Sequence, residues 1–268
     1  MATKMAHEQG EWEITLDIRN AFNSVSLLEM LKYVAAELPD LLGYFMATYI
    51  RARPKLMFRH MDGTMHAIVS QRGVKQGDPL GPLLFCGAIS SCLQRFNVAA
   101  KAANARERVA AYMDDTSLHS AARQLEPRHI TALQQLKADL GAKGCEVNYL
   151  KCGALPGRGH LVTEGEKQLL DGLGIQLQGG MVDSSTRSMV VLGVPVGNSD
   201  FVSHWVAQQT GPVSRAASFA QRCADLSSPR AMYTLLRCCA VPRLTYMLRN
   251  VPPDMMTGAI GGWDRLIQ

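Results

Sequence analysis

Eight residues near the start of the chain alternate without a break. Trp12, Ile14, Leu16 and Ile18 are apolar; Glu13, Thr15, Asp17 and Arg19 are polar. A period of two belongs to a strand with one covered face. It commits the chain to a sheet that apolar elements must back, and it leaves a carboxylate, Asp17, near the end of the polar face. The means to back it are present: 47% of the 268 residues are apolar and 19% charged, which excludes extensive disorder. That length suits one large domain or two small ones. No apolar run reaches the ~18 residues of a membrane helix, because Arg or Lys interrupts each candidate. No secretory signal opens the chain. Seven scattered cysteines without a C-x-x-C pair exclude a disulfide framework and favour a reducing compartment. A net charge of +5 permits an anionic partner without demanding one.

Helix and turn signals order the rest. Ser26-Leu-Leu-Glu29 reads as a capping box opening a helix, Pro39-Asp40 interrupts it, and a second helical stretch runs to about Arg51. Lys55–His60 and Met65–Ser70 flank Asp62-Gly63 as a hairpin. A loop over Gly73–Gly77 leads to Asp78-Pro79, a cap with proline at the first helical position, and to a buried helix over Leu80–Leu93. Arg108–Met113 and Thr116–Ser120 are strands joined tightly at Asp114-Asp115. Ile130, Leu133, Leu136 and Leu140 mark an amphipathic helix ending near Gly141–Gly144. Cys145–Tyr149 and Ser188–Val194 read as strands; residues 156–188 carry no clear pattern. After Asn198 the pattern is helical, with breaks at Pro229, Pro242 and Pro252-Pro253. That shift sets a boundary between an α+β body, 1–198, and a small helical domain, 199–268.

Asp17 and Asp114-Asp115 lie 97 residues apart, on strand ends that can converge. Carboxylates so placed suit Mg²⁺, which keeps several waters and takes further ligands from phosphates. Two such ions ~3.5–4 Å apart serve an in-line phosphoryl displacement. The same residues serve equally as a solvated strand end and a polar turn. Cys145, Cys152 and His160 fit no zinc spacing and read as buried thiols and a surface imidazole. Gly172-x-Gly174 and Gly153–Gly159 lack the strand-to-helix context of a dinucleotide loop.

Several segments together resemble one family. Ala111-Tyr-Met-Asp-Asp-Thr-Ser-Leu118 resembles the catalytic hairpin of reverse transcriptases, and Leu16-Asp-Ile-Arg-Asn-Ala-Phe-Asn-Ser-Val25 their first palm motif. Gln71-Arg-Gly-Val-Lys-Gln-Gly-Asp-Pro-Leu-Gly-Pro-Leu-Leu-Phe85 resembles the intervening motif in its non-LTR retrotransposon form. Asn148-Tyr-Leu-Lys151 and Leu192-Gly-Val-Pro-Val-Gly197 look like the two later palm motifs. Leu235–Arg243 looks like a thumb segment of the same elements.

The resemblance implies an α+β right-hand polymerase palm, an antiparallel sheet backed by helices, followed by a helical thumb. It implies an RNA-directed DNA polymerase core that transfers dNTPs to a primer 3′-hydroxyl on an RNA template, with a DNA or RNA primer and two Mg²⁺ or Mn²⁺ ions. Asp17 and Asp114 match the metal-binding aspartates and Asp115 the third acidic position. Ile18 would offer backbone contact near the triphosphate. Phe22 stands where the family places an aromatic gate against the ribose 2′-hydroxyl; core packing is its other reading. Gln76 and Gly77 match residues lining the nucleotide, although Gly77 also suits an ordinary turn. Tyr112 and Met113 would lie beside the primer end. Lys151 matches a lysine that protonates the departing pyrophosphate, or simply neutralises charge there.

In the tail, seven Arg and four Asp from residue 199 give a net +3 (7 − 4). Arg222, Arg230, Arg237, Arg243 and Arg249 recur every six to eight residues. Such a stripe can track a nucleic-acid backbone, with Arg237, Arg243 and Arg249 as its contacts, or form a solvated face. Only sixteen residues precede Asp17, so the fingers region that comes before the first palm motif in complete enzymes is not expected, nor is an endonuclease, RNase H or zinc-knuckle segment. A piece of a retrotransposon polyprotein fits this pattern; a catalytically inactive or domesticated nucleic-acid-binding remnant is the alternative. No membrane partner is expected, the oligomeric state is open, and resemblance to retroelements implies an intracellular, nuclear site.

Overall fold

The computed structural model describes residues 10–51, 55–75, 77–103, 106–121, 124–178, 188–211 and 214–267. Its strands are β1 (Trp12–Leu16), β2 (Ile18–Arg19), β3 (Lys55–Arg59), β4 (Met65–Val69), β5 (Arg108–Tyr112), β6 (Asp115–Ser120), β7 (Glu146–Val147), β8 (Gly153–Leu155), β9 (Gln176–Leu177), β10 (Ser188–Val191) and β11 (Val194–Gly197). Backbone contacts divide the chain into two compact units. The first comprises Glu11–Ala154 and Val162–Leu177; the second comprises Met1–Gly10, Leu155–Leu161 and Gln178–Gln268.

The first unit is built on a five-stranded sheet of order β5-β6-β1-β8-β9. β5–β6 and β6–β1 are antiparallel, whereas the short β8–β9 pair is parallel. The alternating segment is not one continuous strand. β1 pairs with β6 from Trp12↔Ser120 to Leu16↔Thr116, and beyond Asp17 the chain turns to pair β2 with β7, Ile18↔Val147. Asp17 is the residue at that change of partner.

Trp12, Ile14, Leu16 and Leu118 bury one face of the sheet in a single core with Leu84, Phe85, Ile89, Leu133, Leu136 and Leu140. These come from the Gly81–Ala103 and Pro127–Ala142 helices. The first of the two runs ten residues beyond the expected Leu93. It is long and apolar enough to cross a membrane by length and composition, which its sequence was not expected to allow. Its stripe Leu84, Phe85, Ala88, Ile89, Cys92, Phe96 and Ala100 is buried in the core, and Arg95 reaches Asp139 of the neighbouring helix at 2.8 Å.

Local signals are partly rerouted by tertiary contacts. The Leu27–Glu37 helix starts after Ser26 as expected, yet Ser26 makes no side-chain cap. Glu29, its intended partner, binds Lys143 and Lys32, and the two ammonium groups hold its carboxyl below the usual range, Lys143 foremost. Asp78 accepts from the Leu80 N–H at 2.9 Å, but the helix begins at Gly81. The stretch 42–51 is an α-turn, Leu42–Phe45, followed by a π-helix, Met46–Arg51. Within the unpatterned stretch lies a ten-residue helix, Glu164–Leu173, opened by a Thr163/Glu166 capping box and closed by Gly174 at φ 74°.

In the second unit β10 and β11 form a hairpin with Val191↔Val194 paired. Met189, Val191 and Val196 pack with Leu155. The helices are Ser199–Thr210, Arg215–Ala224, Pro229–Leu235, Val241–Asn250 and Pro253–Ile267, with a π-helix at Leu236–Ala240. The prolines stand at helix starts, where a missing N–H costs nothing. The Tyr246 hydroxyl donates to the Leu192 carbonyl in the hairpin turn.

Candidate active site

Alternation puts Glu13, Thr15 and Asp17 on the sheet face away from Trp12, Ile14 and Leu16. On β6 the same face carries Asp115, Ser117 and His119. The register sets Glu13 against His119 and Thr15 against Ser117. One further step brings Asp17 opposite Asp115, with Tyr112 paired to Asp115 on the other side. The β5–β6 connection is Met113-Asp114, and Met113 has φ 57° while Asp114 is not in the left-handed region. That sign pattern is the one of a type II′ turn, which matches strand twist and keeps the hairpin tight.

The electrostatics tie the three aspartates together. The Asp115 carboxyl is pushed above its usual range by partial burial, then by the negative charges of Asp114 and Asp17; all three act in one direction. Asp17 and Asp114 are half-buried. Asp114 also approaches the Gly81–Ala103 helix, since after burial its charge is what raises the Cys86 thiol. Among the described residues no three His, Cys, Asp or Glu side chains enclose an ion by themselves. Hard oxygen donors with unrelieved mutual repulsion fit a divalent ion that keeps much of its own shell, as Mg²⁺ does.

Asp17 is fixed from behind. Lying between two ladders, its backbone groups need other partners. Its carbonyl accepts from the Asn148 N–H at 2.8 Å, and its N–H points at the Cys152 sulfur at 3.5 Å. That sulfur in turn donates to the Asn148 carbonyl. Tyr149–Lys151 is a 3₁₀ turn between these contacts, so Lys151, exposed, is presented from the segment that grips Asp17.

The Gln71–Phe85 segment also meets the first motif. Gly73 N–H donates to the Val25 carbonyl at 2.8 Å and Val74 N–H to the Phe22 carbonyl at 2.7 Å. Gly73 has φ 78°, and a Cβ there would lie 2.5 Å from the Asn23 Cα. The Phe22 ring is half-buried against Phe85, centroids 4.7 Å apart. Gly77 is exposed with φ 86°. Gln76 lies outside the described residues. Ile18 is buried, so only its backbone is available to a ligand. Tyr112 is 63% exposed on the outer strand.

Arg237, Arg243 and Arg249 are all exposed in the second unit. They do not form one stripe. Arg237 lies in the π-helix, and Arg243 and Arg249, six apart on one α-helix, are separated by about 120° around its axis. The Arg243 guanidinium covers the Phe219 ring at 5.6 Å.

Two residues stand at the site without a local sequence signal. Cys152 is one. Tyr49 is the other: its hydroxyl donates to Asp78 Oδ2 at 2.5 Å, 29 residues away. Only the resemblance of the Gln71–Phe85 segment could have directed a search there.

A helix-backed sheet presenting aspartates from a strand end and an adjacent tight hairpin is a polymerase palm. A family model described as "Reverse transcriptase (RNA-dependent DNA polymerase)" matches residues 2–196, and the chain belongs to that family. It is 30% identical over 153 residues to the "Retrovirus-related Pol polyprotein from type-1 retrotransposable element R2" of Nasonia vitripennis. That match takes in 55% of this chain and 14% of the polyprotein, so the chain spans a small part of its relative. In solved structures it is similar to apo telomerase from Candida tropicalis, with a TM-score of 0.50, 11% identity, 96% of this chain and 41% of the telomerase chain covered. At that identity the likeness is one of fold.

Proposed function

We propose that this chain is the palm and thumb of an RNA-directed DNA polymerase of the non-LTR retrotransposon type, one portion of a longer polyprotein, with the palm in 1–198 and the thumb in 199–268. The observation that carries the reading is the convergence of Asp17 with Asp114 and Asp115 at one end of the polar face, where their charges act on one another. In the reaction a primer 3′-hydroxyl attacks the α-phosphate of a dNTP; the new P–O bond forms as the bond to pyrophosphate breaks. Asp17 and Asp114 would hold the divalent ions, with Asp115 as a weaker third donor. Bound there, Mg²⁺ would supply activation of the attacking hydroxyl and charge for the leaving oxygen. Lys151 delivers a proton to the departing pyrophosphate. Gly77, with Gln76, lets the nucleotide approach the backbone, and Ile18 offers its main chain to the triphosphate. Phe22, propped on Phe85, meets the sugar edge and rejects a 2′-hydroxyl. Tyr112 and Met113 flank the primer end, and Arg237, Arg243 and Arg249 neutralise template–primer phosphates.

The test is extension of an oligo(dT) primer on poly(rA) with dTTP and Mg²⁺ by the longer polyprotein to which the proposal assigns this chain; the 268-residue chain by itself should bind primer–template weakly and extend it poorly or not at all. Incorporation that Asp17→Asn abolishes is expected. In the same assay with a mixed template, Phe22→Val should admit rNTPs while keeping dNTP use. A polyprotein that binds primer–template, loses that binding with salt, and incorporates nothing with Mg²⁺ or Mn²⁺ would be a binding remnant and would overturn the proposal.

A further inference from the structure

The Lys75–Asp78 loop is held by one side chain from outside the recognised motifs. Tyr49 sits in the π-helix Met46–Arg51, is 2% exposed, and stacks on Phe45 with centroids 5.0 Å apart. Its hydroxyl donates to Asp78 Oδ2 at 2.5 Å and accepts from the Lys75 N–H at 3.4 Å. The Lys75 ammonium lies over its ring, 5.2 Å from the centroid. One phenol therefore touches both ends of a loop that is closed by the Asp78 N–H to Lys75 carbonyl bond, 3.1 Å, and that contains Gly77 at φ 86°. The other Asp78 oxygen takes the Leu80 N–H, so the carboxylate links the phenol to the start of the Gly81–Ala103 helix. π-helical insertions redirect a side chain that regular helix would aim elsewhere and gather at functional sites. Burial, then the bond to Asp78, raise the Tyr49 hydroxyl well above its ordinary range, so it stays a donor at any working pH.

We infer that Tyr49 is a positioning residue for the incoming nucleotide: through Asp78 and the Lys75 N–H it fixes the loop that presents Gly77. This rests on the polymerase reading above for the meaning of Gly77, but the latch itself rests on geometry alone. Tyr49 touches no substrate in this scheme. Its loss should loosen a binding surface rather than remove a reacting group.

The decisive variant is Tyr49→Phe, which keeps the stack on Phe45 and the ring beneath Lys75. Thr48→Ala, on the same helical segment, is the control, since the Thr48 hydroxyl donates to the Tyr44 carbonyl within that segment. In dTTP incorporation on poly(rA)/oligo(dT) by the longer polyprotein, Tyr49→Phe should raise KM for dTTP about tenfold, the scale of one hydrogen bond to a charged acceptor. It should leave kcat within about twofold. Hydrogen exchange of the Lys75 and Leu80 amides should accelerate in Tyr49→Phe and not in Thr48→Ala. Asp78→Asn, which weakens the latch from its other side, should shift KM likewise and serves if Tyr49→Phe folds poorly. An unchanged KM, or a fall in kcat with KM constant, overturns the positioning role. Unchanged amide exchange overturns the latch. A wild-type polyprotein that incorporates no dTTP sinks the polymerase reading instead, and the exchange comparison still decides whether the latch exists.

Discussion

Glu13 and Asp17 stand four residues apart on the same face of the same strand, and they meet opposite fates. Glu13 is fully buried and lies 2.5 Å from Nδ1 of His119, its cross-strand partner. Asp17 is half-buried and faces Asp115, a like charge. One carboxylate has been set beside an imidazole inside the protein; the other has been set against more negative charge. Burying a paired ion serves the fold at best modestly, because desolvation offsets the attraction. Gathering unpaired carboxylates works against the fold, and such arrangements persist where something outside the chain supplies the missing positive charge. The polar face thus runs from a buried, partnered end to an end where negative charge gathers, within four residues.

The widest separation between the two should appear in activity. Asp17→Asn is expected to lower nucleotide incorporation by about 10³-fold while the melting free energy stays within about 0.5 kcal/mol. Primer extension and denaturant unfolding on one preparation measure both, and a large loss of stability would erase the distinction. Glu13→Ala should do the reverse. It strands His119 in the interior and should cost about 3 kcal/mol, whereas Glu13→Leu with His119→Leu should regain most of that. If the double variant is no better than the single one, the pair is not the unit described.

A smaller effect separates the two ends by pH. The folded Asp115 carboxyl sits above its unfolded value of 3.8, so the folded state binds the extra proton. The stabilisation from that proton is complete below pH 3.8 and is lost as pH rises through the higher folded value. Asp115→Asn should therefore melt higher than wild type at neutral pH, with the difference vanishing in acid; melting curves from pH 3 to 7 would reveal a difference of the wrong sign. Divalent ions should narrow that gap in wild type only. The smallest effect belongs to the middle rung. Thr15→Val loses a 3.3 Å bond to the Gly153 carbonyl and should cost about 0.5–1 kcal/mol, with incorporation nearly unchanged.

Alternation in Trp12–Arg19 reveals the strand and places Asp17, and the β-rich runs around Asp114-Asp115 reveal the hairpin, because both signals are local. What lies between Glu13 and Asp17 in burial is not legible in the same way. Both are acids at polar positions, and only the cross-strand identity of residue 119 tells them apart. Ser26 and Glu29 show the opposite failure: a good local cap yields to Lys143, 114 residues away, since an ion pair with a half-buried ammonium outcompetes a backbone amide. The Glu164–Leu173 helix was within reach of sequence, as Thr163, Glu166 and Gly174 mark both its ends. Its shortness and two interior glycines, Gly165 and Gly172, hid it. Tyr49 was out of reach, because nothing near it in sequence announces Asp78.

At Gly73 the missing side chain has a bearing on heredity. Every missense change at its codon adds at least a Cβ, and a Cβ there falls onto the main chain of Asn23 rather than onto a movable side-chain tip. The two segments that meet at this point are fifty residues apart in the chain, and any side chain at residue 73 would disturb both at once. A single base change in that codon should therefore loosen the Gly73–Val25 and Val74–Phe22 bonds together while leaving every aspartate in place, a loss that inspection of the acidic residues alone would miss.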